Sequence, residues 1–282
     1  MTRSYAQRDA LTNDEASRFS LSLEYLQYLA PLLERSQQPD NLCGPYWVAL
    51  LLQAFGGLSV SAVEVAIAAS THLPAHGNPA DWLPPGAHSL KGENYEKIPT
   101  LLETDLCGTS IAGLIQATEL LSAEQFCLLP LQTPDWQNGI NSLWSLCQTH
   151  PNWQIVPLLN SHTYYFWGSQ LSPAAVLSYL ATGKLSPPPS DWSVGHFALL
   201  FGCMTGKAAN LYAVLDTYLQ FGWEGLHYQS GDAIAHSLTR PQHTTTGGIA
   251  LFIPTQYRTE ITQAVTAANF TTQPWNNGSP EP

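Results

Sequence analysis

The chain has 282 residues and is 44% hydrophobic, enough for a normal core in one large domain or two small ones, so wholesale disorder is excluded. Ten Lys and Arg stand against twenty-one Asp and Glu, a formal net charge of −11 that repels a phosphate backbone and excludes nucleic acid as a partner. No stretch of about eighteen apolar residues and no cleavable apolar leader occurs, so the expected setting is the cytoplasm, without a membrane partner.

Taken in chain order, residues 15–35 carry a broken helical periodicity (Phe19, Leu23, Leu26, Leu29) that predicts one or two N-terminal helices. From Cys43 the apolar set Trp47, Leu50, Leu51, Ala54 and Phe55 predicts a helix that Gly56-Gly57 ends. A second helix is expected at 59–70, capped by Ser59 or Ser61. Residues 73–100, dense in Pro, Gly and His, read as a long loop. Further helices are expected at 109–121 and 137–149, with a short apolar run at 125–131 between them. After His150 the pattern changes to short β-rich runs, "WQIVPLLN", "VGHFALLFG", "LYAVLD" and "GGIALFIP", interrupted by one helix at about 172–181 and the loop "GKLSPPPSDWS". The expected architecture is a single α+β domain: a mainly helical lobe over 1–150, a mainly antiparallel sheet lobe over 151–263, and a mobile tail over 264–282.

Five cysteines, widely spread and never in a Cys-x-x-Cys pair, argue against a disulfide framework or a zinc ribbon. Cys127, Cys147 and Cys203 sit in apolar runs and read as core, and Cys107 as structural. His72 and His76 flank Pro74, which spoils the helix that would aim both at one metal, so no metal and no cofactor are expected. Cys43 differs, because the first turn of a helix, with its free N–H groups and positive dipole end, favours the thiolate that attacks a carbonyl. A thiol nucleophile needs a base and a group to orient it. Alternation puts His196, Ala198 and Leu200 on one strand face, and Tyr212, Val214 and Asp216 on a common face of the next strand. A hairpin centred on Gly206 would set His196 opposite Asp216. His162 is the reserve base, and Asp191 and Asn210 are the reserve orienters.

Cys43-Gly44 at a helix start, followed in chain order by a strand His196 and its hairpin partner Asp216, resembles the papain-like cysteine peptidase superfamily. Gln37 in "QQPDNLCG" is similar to the glutamine that precedes the nucleophile in the branch of phytochelatin synthases and bacteriocin-leader peptidases, with Gln38 as its fallback. The resemblance implies a papain-like fold with the active site in the cleft between the lobes, and a Cys43–His196–Asp216 triad with Gln37 at an oxyanion hole. It also implies chemistry on a peptide or small amide through an acyl-thioester, resolved by water in a peptidase or amidase, or by an amine or thiol in a transferase or cyclase. Gly44, Trp47, Trp192 and Gly195 are the expected substrate-side residues, with Trp223 and Tyr228 as further aromatics. The alternative is a peptide-binding protein of the same fold without catalysis.

Overall fold

In the computed structural model, residues 18–21, 32, 34–168 and 170–282 are described. The helix that begins at Cys43 is α1 (Cys43–Gly56), and Gly57 ends it in the left-handed region at φ 64°. Helix α2 (Ala62–Ala68) opens with a reciprocal capping box between Ser61 and Glu64. The stretch expected to be a loop holds short α3 (Glu93–Lys97) and a two-residue parallel pairing of β2 (Leu73–Pro74) with β3 (Thr100–Leu101). Helix α4 (Ile111–Leu121) is capped by Ser110 and α5 (Trp136–Thr149) by Asp135. Ser172 caps α6 (Pro173–Thr182), and Gly183 ends it at φ 69°. Two helices that the sequence reading did not anticipate follow, α7 (Gly231–Thr239) and α8 (Arg258–Ala267).

The main sheet orders its strands β4 (Phe126–Leu131), β9 (Gly248–Pro254), β5 (Val156–His162), β6 (Gly195–Thr205), β7 (Asn210–Leu215) and β8 (Leu226–Ser230). Every neighbouring pair is antiparallel. Strand β1 (Arg18–Leu21) pairs with the distal half of β6, so these four residues of the predicted N-terminal helices are extended, and most of the rest of 15–35 lies outside the described residues.

Alternate residues of each strand enter different cores. One core joins Leu128, Leu158, Phe197, Leu199 and Phe252 to Trp47 and Leu51 of α1 and Leu114 of α4. The other joins Leu129, Leu159, Ala198, Leu200 and Leu251 to Ile140 of α5, Ile234 of α7 and Ile261 of α8. The molecule is therefore α+β with the sheet covered on both faces, which is why its strands read as unbroken apolar runs. Two expectations are corrected here. The run 125–131 is a strand of the main sheet, so the helical and sheet parts do not divide near residue 150. The tail is not loose: Phe270 and Trp275 are buried, and Thr271 exchanges backbone hydrogen bonds with Gln132. Two aromatic side chains supply enough apolar area to hold such a segment down.

Candidate active site

Cys43 is the first residue of α1 and is half-buried. No side chain caps this helix start, since Leu42 stands at the N-cap. Gly44 lets the start approach its neighbours closely: a Cβ there would come within 2.8 Å of Leu114 and 3.1 Å of Phe197. One turn on, the Trp47 indole N–H donates to the Phe197 carbonyl at 3.1 Å. These contacts bring the beginning of α1 to the beginning of β6, next to His196. They also make Trp47 a fully buried core residue, which corrects its expected place on the substrate side.

His196 is 2% exposed, and its Nε2 lies 3.0 Å from Asp216 Oδ1. The contact forms in a different register from the expected one. The turn is the four-residue Gly206–Ala209 loop, and Thr205 pairs with Asn210, so near the tip paired numbers sum to 415 rather than 412. An odd sum carried along the strands would put His196 and Asp216 on opposite faces. Between Leu200 and Gly202 the ladder slips, leaving Phe201 as an extra residue on β6, and the sum becomes 414. Parity is restored, and the two side chains meet as a diagonal same-face pair. Asp216 lies just beyond β7, where its Oδ1 also accepts from the Tyr218 N–H at 2.8 Å.

A second imidazole faces the same carboxylate, one that the sequence reading missed although the alternation in "LHYQS" carries it. His227 Nε2 is 3.8 Å from Asp216 Oδ2, too long for a hydrogen bond but close enough for electrostatic pairing. Its tautomer follows from Gln229. The Gln229 Oε1 accepts from the Trp167 N–H at 2.7 Å, so its amide nitrogen must donate to His227 Nδ1 at 2.9 Å. Nδ1 is then the acceptor, and Nε2 carries its proton toward Asp216. Burial holds the His227 pKa down, consistent with a neutral ring. Burial also opposes charge on His196, but the Asp216 carboxylate and the Cys43 thiol outweigh it and hold this pKa up at about 10. Burial would raise the Asp216 pKa, yet the two imidazoles pull it below the usual carboxylate range. Trp192 tilts over His196 with ring centroids 4.7 Å apart.

Cys43 opens into a cavity of about 340 Å³ whose wall includes Gly44, Cys107, Asn160, Gly195 and Arg240. Residues 26–276 match a single family description, which spans the triad candidates and this wall. The chain belongs to the Family of unknown function (DUF6885). No curated protein matches this DUF6885 chain.

Of the remaining expected residues in the DUF6885 chain, Gly44 and Gly195 line the cavity, whereas Trp192 is core packing around His196. Gln37 is turned away: its amide nitrogen donates to the His88 carbonyl and its oxygen accepts from Gln220. Gln38 is buried between Thr217 and the Tyr218 hydroxyl. Neither lines the cavity: loop 73–100 takes the Gln37 amide through His88, and the segment after β7 takes Gln38 through Thr217 and Tyr218. Among the reserves, His162 stacks on His243 at 4.1 Å, with its pKa lowered to about 4 by burial first and then by His243 and Arg240. Asn210 donates to Asn141, and Asp191 is exposed. Among the described residues no three His, Cys, Asp or Glu side chains converge as a metal site, and no helix is long and apolar enough to cross a membrane.

Proposed function

We propose that the protein is a cysteine-nucleophile enzyme acting on a peptide or small amide, with Cys43 attacking, His196 moving the proton and Asp216 positioning the imidazole. The observation that carries this reading is the buried His196–Asp216 pair, 3.0 Å apart, on the strand that packs against the start of α1, where a half-buried thiol opens on a cavity. The order Cys43, His196, Asp216 and the helix-then-strand placement resemble the papain-like superfamily.

In this reading Cys43 gives its thiol proton to His196, and the sulfur electron pair forms a bond to the carbonyl carbon. The uncapped N–H groups at the start of α1 stabilise the negative charge on the carbonyl oxygen, the part first expected of Gln37. When the C–N bond breaks, His196 gives its proton to the departing amine. The acyl-thioester is then released by water or by a second amine.

The test uses iodoacetamide near neutral pH with peptide mapping. Cys107 lines the same cavity and is also half-buried, so it is the internal control, and burial raises its pKa. Labelling of Cys43 at least about tenfold faster than Cys107, lost in His196→Gln, supports the reading. Equal labelling of the two, unchanged in His196→Gln, refutes it. A second reading, a peptide-binding protein without turnover, is favoured by one observation: both Gln37 and Gln38 are committed elsewhere. Selective labelling without an acyl adduct on Cys43, by intact mass after incubation with a peptide pool, would favour this second reading.

A further inference from the structure

Arg240 lies on the wall of the Cys43 cavity and is 2% exposed. Its Nη2 donates to the Asn160 side-chain oxygen at 2.7 Å and to the Asn160 carbonyl at 3.2 Å, and its Nη1 donates to Thr245 at 3.3 Å. Nε has no partner, and among the described residues no carboxylate pairs with this guanidinium. A buried cation without a counter-charge is costly unless something supplies one. Gly195 lines the same cavity, and a Cβ placed there would stand 3.9 Å from Nη1, so no side chain at that position covers the guanidinium. Asn160 is itself fixed, since its oxygen also accepts from the Trp275 indole N–H at 3.1 Å. The result is a preorganised cationic group in the pocket that holds the thiol, inside a protein whose overall charge is −11 and which therefore repels anions elsewhere.

We propose that Arg240, held by Asn160, is a carboxylate subsite, so that the substrate acted on at Cys43 carries a carboxylate within the same cavity. This rests on the reading of Cys43 as the nucleophile and narrows its substrate class. The charged guanidinium suits a carboxylate better than a neutral amide, because a charge-assisted hydrogen bond is stronger, and with Nη2 spent on Asn160 the second Nη1 hydrogen is the donor beside Gly195. At about 340 Å³ the cavity is near the small end of ligand pockets, about 300–1,000 Å³, so a chain end or a single acidic residue fits better than a long peptide.

The experiment compares two cysteine reagents that differ in one group, N-iodoacetylglycine and N-iodoacetylglycinamide, and reads the ratio of their rates at Cys43. The acid should react about tenfold faster than the amide, the discrimination expected of one charge-assisted contact. In Arg240→Gln the ratio should fall to about one. Since this buried site can fail to fold when truncated, Asn160→Asp is the second variant: it keeps both acceptor bonds while giving Arg240 an internal counter-charge. It should remove the preference with the near-ultraviolet spectrum of the fold intact. A wild-type ratio of one or below, or a preference that survives in folded Asn160→Asp, overturns the proposal.

If Cys43 proves unreactive to both reagents, the nucleophile reading fails and thermal shift decides the subsite by itself. N-acetylglycine offers a chain-end carboxylate and the α-amide of N-acetylaspartic acid a side-chain one. Stabilisation of wild type by either, but not by N-acetylglycinamide and not in Asn160→Asp, supports the subsite and identifies the source by the larger shift. No stabilisation, or equal stabilisation by the neutral amide, overturns it.

Discussion

Two regions of the molecule bury a guanidinium, and they finish it differently. Around Asp216, Arg35 spends all three nitrogens on backbone carbonyls: Nε on Asp216 at 2.6 Å, Nη1 on Leu32 at 3.2 Å and Nη2 on Glu224 at 2.9 Å. The carboxylate nearby is shared between His196 and His227, so every charge in that region has a neighbour of opposite or dipolar character. Around Arg240 the same side-chain type keeps an idle Nε and has no carboxylate partner among the described residues. It also holds its backbone in the left-handed region at φ 49°, where glycine or asparagine is preferred. Both regions keep buried polar atoms without a hydrogen bond, Asp216 Oδ2 and His227 Nε2 in the first and Arg240 Nε in the second; what differs is the guanidinium, closed in the first region and open beside the cavity in the second.

The largest expected effect breaks the closed region at its centre. Asp216→Asn keeps the volume but removes the charge that orients His196, and turnover at Cys43 should fall by about 10⁴-fold, the loss seen when a buried orienting carboxylate becomes an amide. Asp216→Ala should also cost about 3–5 kcal/mol in urea unfolding, because a buried charge network loses one partner. A loss in turnover below about tenfold for Asp216→Asn would mean that the carboxylate is structural only. In the open region the corresponding change is Trp275→Ala. It empties a buried site in the segment first read as mobile and should cost about 3–5 kcal/mol. It also frees the Asn160 side chain, so the preference for N-iodoacetylglycine should weaken in the same variant.

Much of the closed region was legible because it obeys local rules. The start of α1 at Cys43 and its stop at Gly57 follow from apolar spacing and a glycine that accepts φ 64°. The faces of His196 and Asp216 follow from alternation, although the pairing reached them through the Phe201 bulge, and a bulge has no periodic signal. Gln37 failed for a different reason. Its six-residue spacing from Cys43 carries no information about loop 73–100, whose His88 carbonyl takes the amide. The open region was illegible for the same reason: Asn160, Arg240 and Trp275 lie 80 and 35 residues apart in sequence (240 − 160 and 275 − 240), and only the sheet and the returning tail bring them together. Strand β4 was hidden because a run buried on both faces has neither a period of two nor of 3.6.

The two arginines can be compared directly. Arg35→Met leaves three carbonyls without their donor and should cost about 3 kcal/mol in urea unfolding, at about 1 kcal/mol for each bond lost. Arg240→Met loses bonds to Asn160 and Thr245 but also relieves an unpaired buried charge, so its cost should be about 1 kcal/mol or less. Equal costs would erase the distinction between a closed and an open network.

The smallest effect separates the regions by pH. His196 has its folded pKa raised to about 10, so its contribution is complete below the ordinary histidine value of about 6.5 and is lost as pH rises toward 10. Asp216, lowered, contributes above the usual carboxylate range near 3.9 and loses that contribution as pH falls. His162 belongs to the open region, facing His243, Tyr165 and Arg240, and its folded pKa is lowered to about 4. The unfolded chain takes up that proton below about 6.5 while the folded one resists it, so stability declines as pH drops from about 6.5 to 4. Urea midpoints between pH 4 and 10 should therefore show an alkaline limb that Asp216→Asn flattens and an acid limb that His162→Gln flattens.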